Sequence, residues 1–398
     1  MRIWFDVSLS TLYEYNRPGG GIGRVERALA CNTLEQSRGS VELCIFDEAS
    51  GKYCAVASET TQQYLKGSIR QLHGRHINFE PHDVFISIGH SNLHGAAVDE
   101  MFALPHESGL RLVIFCHDLI PLKSPHLMAS QASNSSDTYH NFVKRMLTSS
   151  AHILCNSRST LRDLEDYSHQ ADLFMPTASI LPMGSFILQM GNTGTSQGVT
   201  DASSDNAAIT ISEQLKRTDY VLFVSTLNLR KNHATLVRAW RMLIEKTQDN
   251  TPKLVFVGNV GLGSEQLLSD IQTDQNLRKS IVHLRSVDDE QLRWLYQNCL
   301  FSVFPSFYEG WGLPVSEALS CGKFCLASSS SSIPEAGGPF AEYIAPGDID
   351  KWAERISFYN TCREALHEKE SFIKRHYKAV SWSHSARVML ELVGSFES

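Results

Sequence analysis

The chain lacks any apolar run approaching the roughly 20 residues that a membrane-spanning helix needs. It also lacks a basic excess: 36 Lys and Arg stand against 43 Asp and Glu, a net charge of −7. A nucleic-acid binder carries a basic footprint, so nucleic acid is not an expected partner. No C-x-x-C pair occurs among the nine cysteines. Cys116, Cys155 and Cys299 lie in apolar runs, where a thiol packs as a small core side chain. The odd count without paired spacing points to a reducing compartment, the cytoplasm. No Cys/His set near Cys321 and Cys325 completes a metal site. His90 and His94 are four apart, but the glutamate of H-E-x-x-H is missing and glycine stands on either side, so they are expected to shape a cleft rather than hold zinc. The start, Met1-Arg-Ile-Trp-Phe-Asp-Val7, puts an acid where a secretion signal has its apolar core.

The 398 residues are enough for about two domains. Strand-like runs (Ile3 to Val7, Val41 to Phe46, Val84 to Ile88, Leu112 to Cys116, His152 to Cys155) alternate with helical patterns (Arg24 to Leu34, Tyr139 to Ser149, Ser159 to Asp166). That alternation predicts an α/β fold with a parallel sheet covered by helices. Residues 191–206 are almost free of apolar side chains and read as a linker. Alternation then resumes: strands at Tyr220 to Val224, Lys253 to Val257, Ile281 to Leu284 and Leu300 to Phe304, helices at His233 to Lys246, Glu265 to Asp270 and Asp289 to Asn298. The expected division is a first Rossmann-like domain over 1–190, a linker over 191–212, a second such domain over 213–375, and a C-terminal helix over 376–398. In open sheets of this kind, ligands bind at the carboxyl ends of the strands.

The run Phe304-Pro-Ser-Phe-Tyr-Glu-Gly-Trp-Gly-Leu-Pro-Val-Ser-Glu-Ala-Leu-Ser-Cys-Gly322 places seven residues between Glu309 and Glu317. It reads as strand, tight loop and helix. Gly310 and Gly312 allow a sharp turn. Pro314 suits the first helical position, and the helix Val315 to Ser320 ends near Gly322. Its N-terminus offers free N–H groups and a positive dipole end to an anion. Glu309 is expected in the loop and Glu317 in the first turn, both within reach of one ligand. Upstream, Arg230-Lys231-Asn232 follows the strand ending at Val224, where two cations can meet a diphosphate. His117 and Asp118 follow the strand Leu112 to Cys116; a histidine there can hydrogen-bond in either protonation state, and Asp118 suits a loop cap. The loop Arg17-Pro-Gly-Gly-Gly-Ile-Gly-Arg24 fails the G-x-G-x-x-G register. Ser328 to Ser332 reads as a structural loop.

This constellation resembles family 4 of the retaining GT-B glycosyltransferases, on the E-x7-E stretch with its glycines, proline and Glu-Ala-Leu-Ser-Cys-Gly tail, and on Arg-Lys-Asn. The resemblance covers the second half well and the first more loosely. It departs at Ser225 and Thr226, where many relatives carry Gly-Arg. It implies a GT-B fold, two Rossmann-like domains facing across a cleft, with the last helix returning to the first domain. It implies a hexosyltransferase that needs no metal and no cofactor, with a nucleotide-diphosphate sugar as donor and a glycan or lipid-linked saccharide as acceptor. Glu309, His117, Arg230 and Lys231 are the implied catalytic group. Gly20, Gly21 and Ile22 are implied near the phosphates and acceptor, with Gly312 and Leu313 on the phosphate, Glu317 on the ribose, and Asn259, Arg285 and Val287 around the base. The local flavour is similar to bacterial O-antigen and capsule mannosyltransferases, which implies GDP-mannose and a place at the inner membrane face, aided by the basic stretch Lys369 to Lys378. A nucleotide-sugar epimerase or hydrolase on this architecture, and a non-catalytic nucleotide-sugar-binding subunit, stay open. Oligomeric state is not legible.

Overall fold

Short runs of Val, Ile, Leu and Phe, buried on both faces, are what a helix-covered parallel strand requires. The computed structural model describes residues 1–12, 21–37, 39–65, 74–89, 95–128, 132–186, 215, 218–247 and 250–397. The chain divides into two compact units: Met1–Leu119, Asp137–Gly184 and Val380–Ser398 form the first; Ile120–Ser136 and Ser185–Ala379 form the second. The segment expected as a linker lies outside the described residues.

The first unit is built on a sheet of eight strands: β1 (Ile3–Asp6), β2 (Val41–Asp47), β3 (Lys52–Val56), β4 (Gly74–His76), β5 (Val84–Ser87), β6 (Arg111–Cys116), β7 (His152–Cys155) and β8 (Ala178–Ile180). Their order is β4-β3-β2-β1-β5-β6-β7-β8. The β2–β3 and β3–β4 pairs are antiparallel; the other pairs are parallel. The hairpin was not foreseen from alternation, because its signal is local: Asp47 accepts from the amides of Ala49 and Ser50, and Gly51 takes φ 68, closing a turn of the kind Asx residues and glycine favour. The helices Ser58–Leu65 and Ala96–Ser108 were also not foreseen. The helix Gly21–Gln36 starts three residues earlier than the pattern from Arg24 suggested.

The C-terminal helix Trp382–Gly394 buries Trp382, Ser385, Ala386, Met389 and Val393. That spacing forms a single helical stripe. It packs on the helix Gly21–Gln36, where Gln36 Nε2 donates to the Ser383 carbonyl at 2.9 Å. Gly184 is required beneath it: a Cβ there would lie 2.4 Å from the Trp382 ring.

The second unit has six parallel strands: β9 (Tyr220–Val224), β10 (Lys253–Val257), β11 (Ile281–Leu284), β12 (Ser302–Phe304), β13 (Cys325–Ser328) and β14 (Glu342–Ile344). Their order is β11-β10-β9-β12-β13-β14. The chain winds outward from β9 in one direction and from β12 in the other, so β9 and β12 are neighbours at the switch point. The crevice at their carboxyl ends is where such sheets bind ligands. Trp240, Trp352, Tyr220, Tyr296, Phe223, Phe256 and Phe304 fill the core beneath, each large side chain contributing about 2–3 kcal/mol of burial. The indole N–H of Trp240 donates to the Pro252 carbonyl at 3.0 Å, so its polar atom is not stranded.

Candidate functional site

The site at the switch point is assembled from the loops after β9 and β12. After β9 the chain makes a single 3-10 turn, Leu229–Lys231, whose first turn is capped by the Asn228 side chain accepting from the Lys231 amide at 3.1 Å. Asn232 then takes a left-handed conformation, φ 60 and ψ 40, which asparagine tolerates far better than most residues. Its Nδ2 donates to the carbonyls of Pro305, at 3.0 Å, and Pro346, at 2.8 Å. One buried side chain thus ties the β9 turn to the loops after β12 and β14. The helix His233–Thr247 follows directly.

Held this way, both cations reach Glu309 in the loop after β12. Arg230 Nη1 lies 2.6 Å from Glu309 Oε2, and Lys231 Nζ lies 2.6 Å from Oε1. Arg230 Nη1 also donates to the Tyr308 carbonyl at 2.7 Å. Glu309 is 7% exposed. Burial pushes its pKa up, but Arg230 and then Lys231 outweigh burial and bring it down to about 2. The carboxylate is therefore ionised at neutral pH and meets both cations. Removing one member of such a buried set costs about 3–5 kcal/mol when a charge is stranded.

The glutamate motif itself is shifted by a residue from the expected register. Its helix runs Leu313–Ser320, with Gly312 as N-cap, so Pro314 is the second helical residue rather than the first, and Glu317 falls in the second turn. Gly312 takes φ 115, a conformation that favours glycine. Glu317 is buried, and its Oε2 accepts from the Tyr296 hydroxyl at 3.1 Å. Tyr296 was not foreseen; its signal is a polar tip within a helix, Asp289–Asn298, whose other buried residues are leucines.

Of the residues expected around a base, Asn259 and Arg285 are exposed in the turns after β10 and β11, and Val287 is half-buried against the core. The Asn259 carbonyl accepts from the Leu227 amide at 2.9 Å. Gly258 takes φ 145, and a Cβ there would lie 2.2 Å from the Ser225 carbonyl oxygen, so the turns after β9 and β10 are pressed together. A cavity of about 420 Å³ opens beside the β9 turn, lined by residues such as Asn228, Thr235, Arg238 and Phe307. Leu229 and Asn232, the chain neighbours of Arg230 and Lys231, also line it.

In the first unit, His117 follows β6. Its Nε2 lies 2.8 Å from the Ile88 carbonyl, which can only accept, so Nε2 carries the proton. Burial lowers its pKa, with the Ile88 carbonyl opposing, to about 4. The ring is neutral at physiological pH and Nδ1 is left as an acceptor. The carbonyl contact fixes the tautomer, and burial keeps the ring neutral. The His117 carbonyl accepts from Asn156 Nδ2 at 2.7 Å, and the Asp118 carbonyl from the Tyr139 hydroxyl at 2.5 Å. Gly21 and Ile22 are the first residues of the helix Gly21–Gln36 rather than loop residues. Gly20, His90 and His94 lie outside the described residues. Among the described residues, no group of three or more His, Cys, Asp or Glu gathers to hold a metal.

Comparison with known proteins bears on this geometry. Residues 207–378, most of the second unit with its Arg-Lys-Asn turn and both glutamates, match the family model of the glycosyl transferases group 1. Over the whole chain, the structure is similar to that of HepE from Anabaena, solved in complex with UDP and glucose (TM-score 0.63, 15% identity, 99% of this chain and 100% of that one). The fold is GT-B. This GT-B chain is also similar to O-antigen chain mannosyltransferase B of Escherichia coli, 36% identical over 144 residues, covering 36% of this chain and 37% of that one. The serotype-specific mannosyltransferase WbdA of Escherichia coli is 24% identical over 281 residues, covering 71% of this chain and 33% of that one. The GT-B chain thus spans about a third of the length of these curated relatives. No helix among the described residues is long and apolar enough to cross a membrane.

Proposed function

We propose that the chain is a retaining hexosyltransferase that moves mannose from GDP-mannose to a glycan or lipid-linked saccharide acceptor in bacterial surface polysaccharide synthesis. The observation that carries this reading is the cluster of Arg230 and Lys231 on Glu309 at the β9/β12 switch point. In transfer, the bond from the anomeric carbon to the phosphate oxygen breaks, a bond to the acceptor oxygen forms, and the acceptor proton goes to the departing phosphate. Fixed positive charge aimed at the leaving diphosphate lowers that barrier without reorganisation. Arg230, Lys231 and the N–H groups at Gly312 and Leu313 supply it, which is why a metal ion is not invoked. Glu309 holds donor hydroxyls, and the unprotonated Nδ1 of His117 accepts from another. Glu317 takes the ribose, Asn259, Arg285 and Val287 surround the base, and Gly20, Gly21 and Ile22 are assigned to the donor phosphates and acceptor.

The choice of mannose rests on the names of the relatives, and the O-antigen relative favours polysaccharide assembly; a place at the inner membrane face is part of the proposal. The UDP in the HepE complexes favours a second reading, a UDP-sugar donor. Thermal stabilisation by GDP, UDP, ADP and dTDP, side by side and without metal, separates the two. A shift with GDP leads to transfer assays with GDP-mannose, in which the anomeric configuration of the product tests retention and undiminished turnover in EDTA tests metal independence. A shift with UDP alone discards mannose and keeps transfer; no shift with any of the four removes the nucleotide-sugar reading.

A further inference from the structure

The serine run after β13 reaches back to the glutamate loop. Ser331 Oγ accepts from the Glu309 amide at 2.9 Å. Ser332 Oγ lies 2.8 Å from the Glu309 carbonyl and 2.9 Å from the Trp311 carbonyl, so its one proton is shared between them. Both polar groups of the Glu309 main chain are therefore bound by two consecutive side chains of a loop 22 and 23 residues further on. Ser332 is fully buried, and its own carbonyl accepts from the amides of Glu335 and Ala336, anchoring it to the short helix Ile333–Gly337.

Ser331 holds this position at φ 49, in the left-handed region that side chains other than Gly, Asn and Asp seldom adopt. A serine kept in strained backbone where its hydroxyl meets a buried glutamate is the pattern in which strain accompanies function. Glycine would relieve the strain but could not supply the acceptor.

We infer that Ser331 and Ser332 are positioning residues for Glu309: they clamp its main chain so that the carboxylate stays aligned with Arg230, Lys231 and the donor sugar. This rests on the transferase reading above. Ser330 completes the loop, accepting from the Ile333 amide at 3.2 Å, and Ser328 Oγ accepts from the Ser330 amide at 3.2 Å. The loop is thus braced from both ends.

The test compares full-length wild type, Ser331→Gly and Ser332→Ala for thermal midpoint, kcat and donor KM. Relief of strain offsets the lost hydrogen bond and leaves the Ser331→Gly midpoint near that of wild type, while loss of the clamp lowers its kcat about tenfold, the worth of one aligned hydrogen bond. Donor KM stays within about threefold, because Arg230 and Lys231 remain. Ser332→Ala lowers kcat by at least as much. A tenfold fall in kcat at an unchanged midpoint in Ser331→Gly is what a merely structural serine would not produce. Wild-type kcat in Ser331→Gly, or a kcat loss that tracks a fall in midpoint, overturns the clamp while leaving the transferase reading intact. Absence of transfer by the wild type with GDP-, UDP-, ADP- and dTDP-sugars overturns that reading, and the clamp with it.

Discussion

Lys231 Nζ lies 2.6 Å from Glu309 Oε1, across 78 residues of sequence. The cation that would meet a diphosphate is already holding an internal anion, and Arg230 shares it. On the proposed reading, a bound diphosphate and the Glu309 carboxylate would compete for the same two charges. Glu309→Gln keeps the shape and removes the competitor. It should bind free nucleoside diphosphate about tenfold more tightly, or ~1.4 kcal/mol, while losing most transfer. Titration calorimetry at low salt reads the first; an unchanged or weaker Kd would show that the carboxylate does not compete.

Lys231→Ala leaves Glu309 buried with Arg230 as its sole remaining cation of the two. Unfolding stability should fall by about 1–3 kcal/mol, and transfer by roughly 10²–10³-fold. Chemical denaturation and steady-state kinetics check both. A stable variant with full activity would remove Lys231 from the site.

Asn232 tests the joint between the β9 turn and its neighbours. Asn232→Ala loses both carbonyl contacts and places a Cβ-bearing residue at φ 60 without asparagine's tolerance, and should cost about 2–4 kcal/mol. Asn232→Gly loses the contacts but keeps the backbone conformation, and should cost less, about 1–2 kcal/mol. Equal losses in urea denaturation would mean that the left-handed conformation carries no weight.

Acid should destabilise the chain through three groups acting in one direction. Glu309 has a folded pKa of about 2 against 4.5 when free, so its stabilisation is present above 4.5 and is lost as pH falls toward 2. His117, at about 4, and His233, at about 3, both lie below the free value of 6.5. The unfolded chain takes up their protons first, so stability declines from pH 6.5 down toward 3. For His233 the cause is burial, then the charges of Lys231 and His283. His117→Gln should flatten the decline between pH 6.5 and 4 in denaturation midpoints, and the wild-type rate should show no acid limb near 6.5 from His117.

Tyr296→Phe removes the hydroxyl that donates to Glu317. The expected cost is about 1 kcal/mol of stability, with donor KM raised and kcat little changed, since Glu317 is assigned to the ribose rather than the reacting carbon. A fall in kcat with unchanged KM would move Glu317 to the chemical step.

Much of the second unit was legible before any coordinates. The spans Tyr220–Val224, Lys253–Val257, Ile281–Leu284 and Asp289–Asn298 appear as read, because each is a short apolar or capped segment whose neighbours in sequence specify it. The placement of Arg230, Lys231 and Glu309 on loops after strands was legible for the same reason. The β2–β3–β4 hairpin was not, since alternating strands and helices give no warning of an antiparallel edge.

Periodicity, glycine and proline act within a few residues, and they set which segments become strands, where the turns fall, and which side chains stand at strand ends. Contacts between loops distant in sequence depend on strand order instead. Placing β9 beside β12 brings Lys231 to Glu309, the course of the loop after β13 brings Ser331 and Ser332 to the same glutamate, and the Ile88 carbonyl beside β6 sets the tautomer of His117. Nothing in a local pattern encodes those distances, because they arise only when the sheets pair.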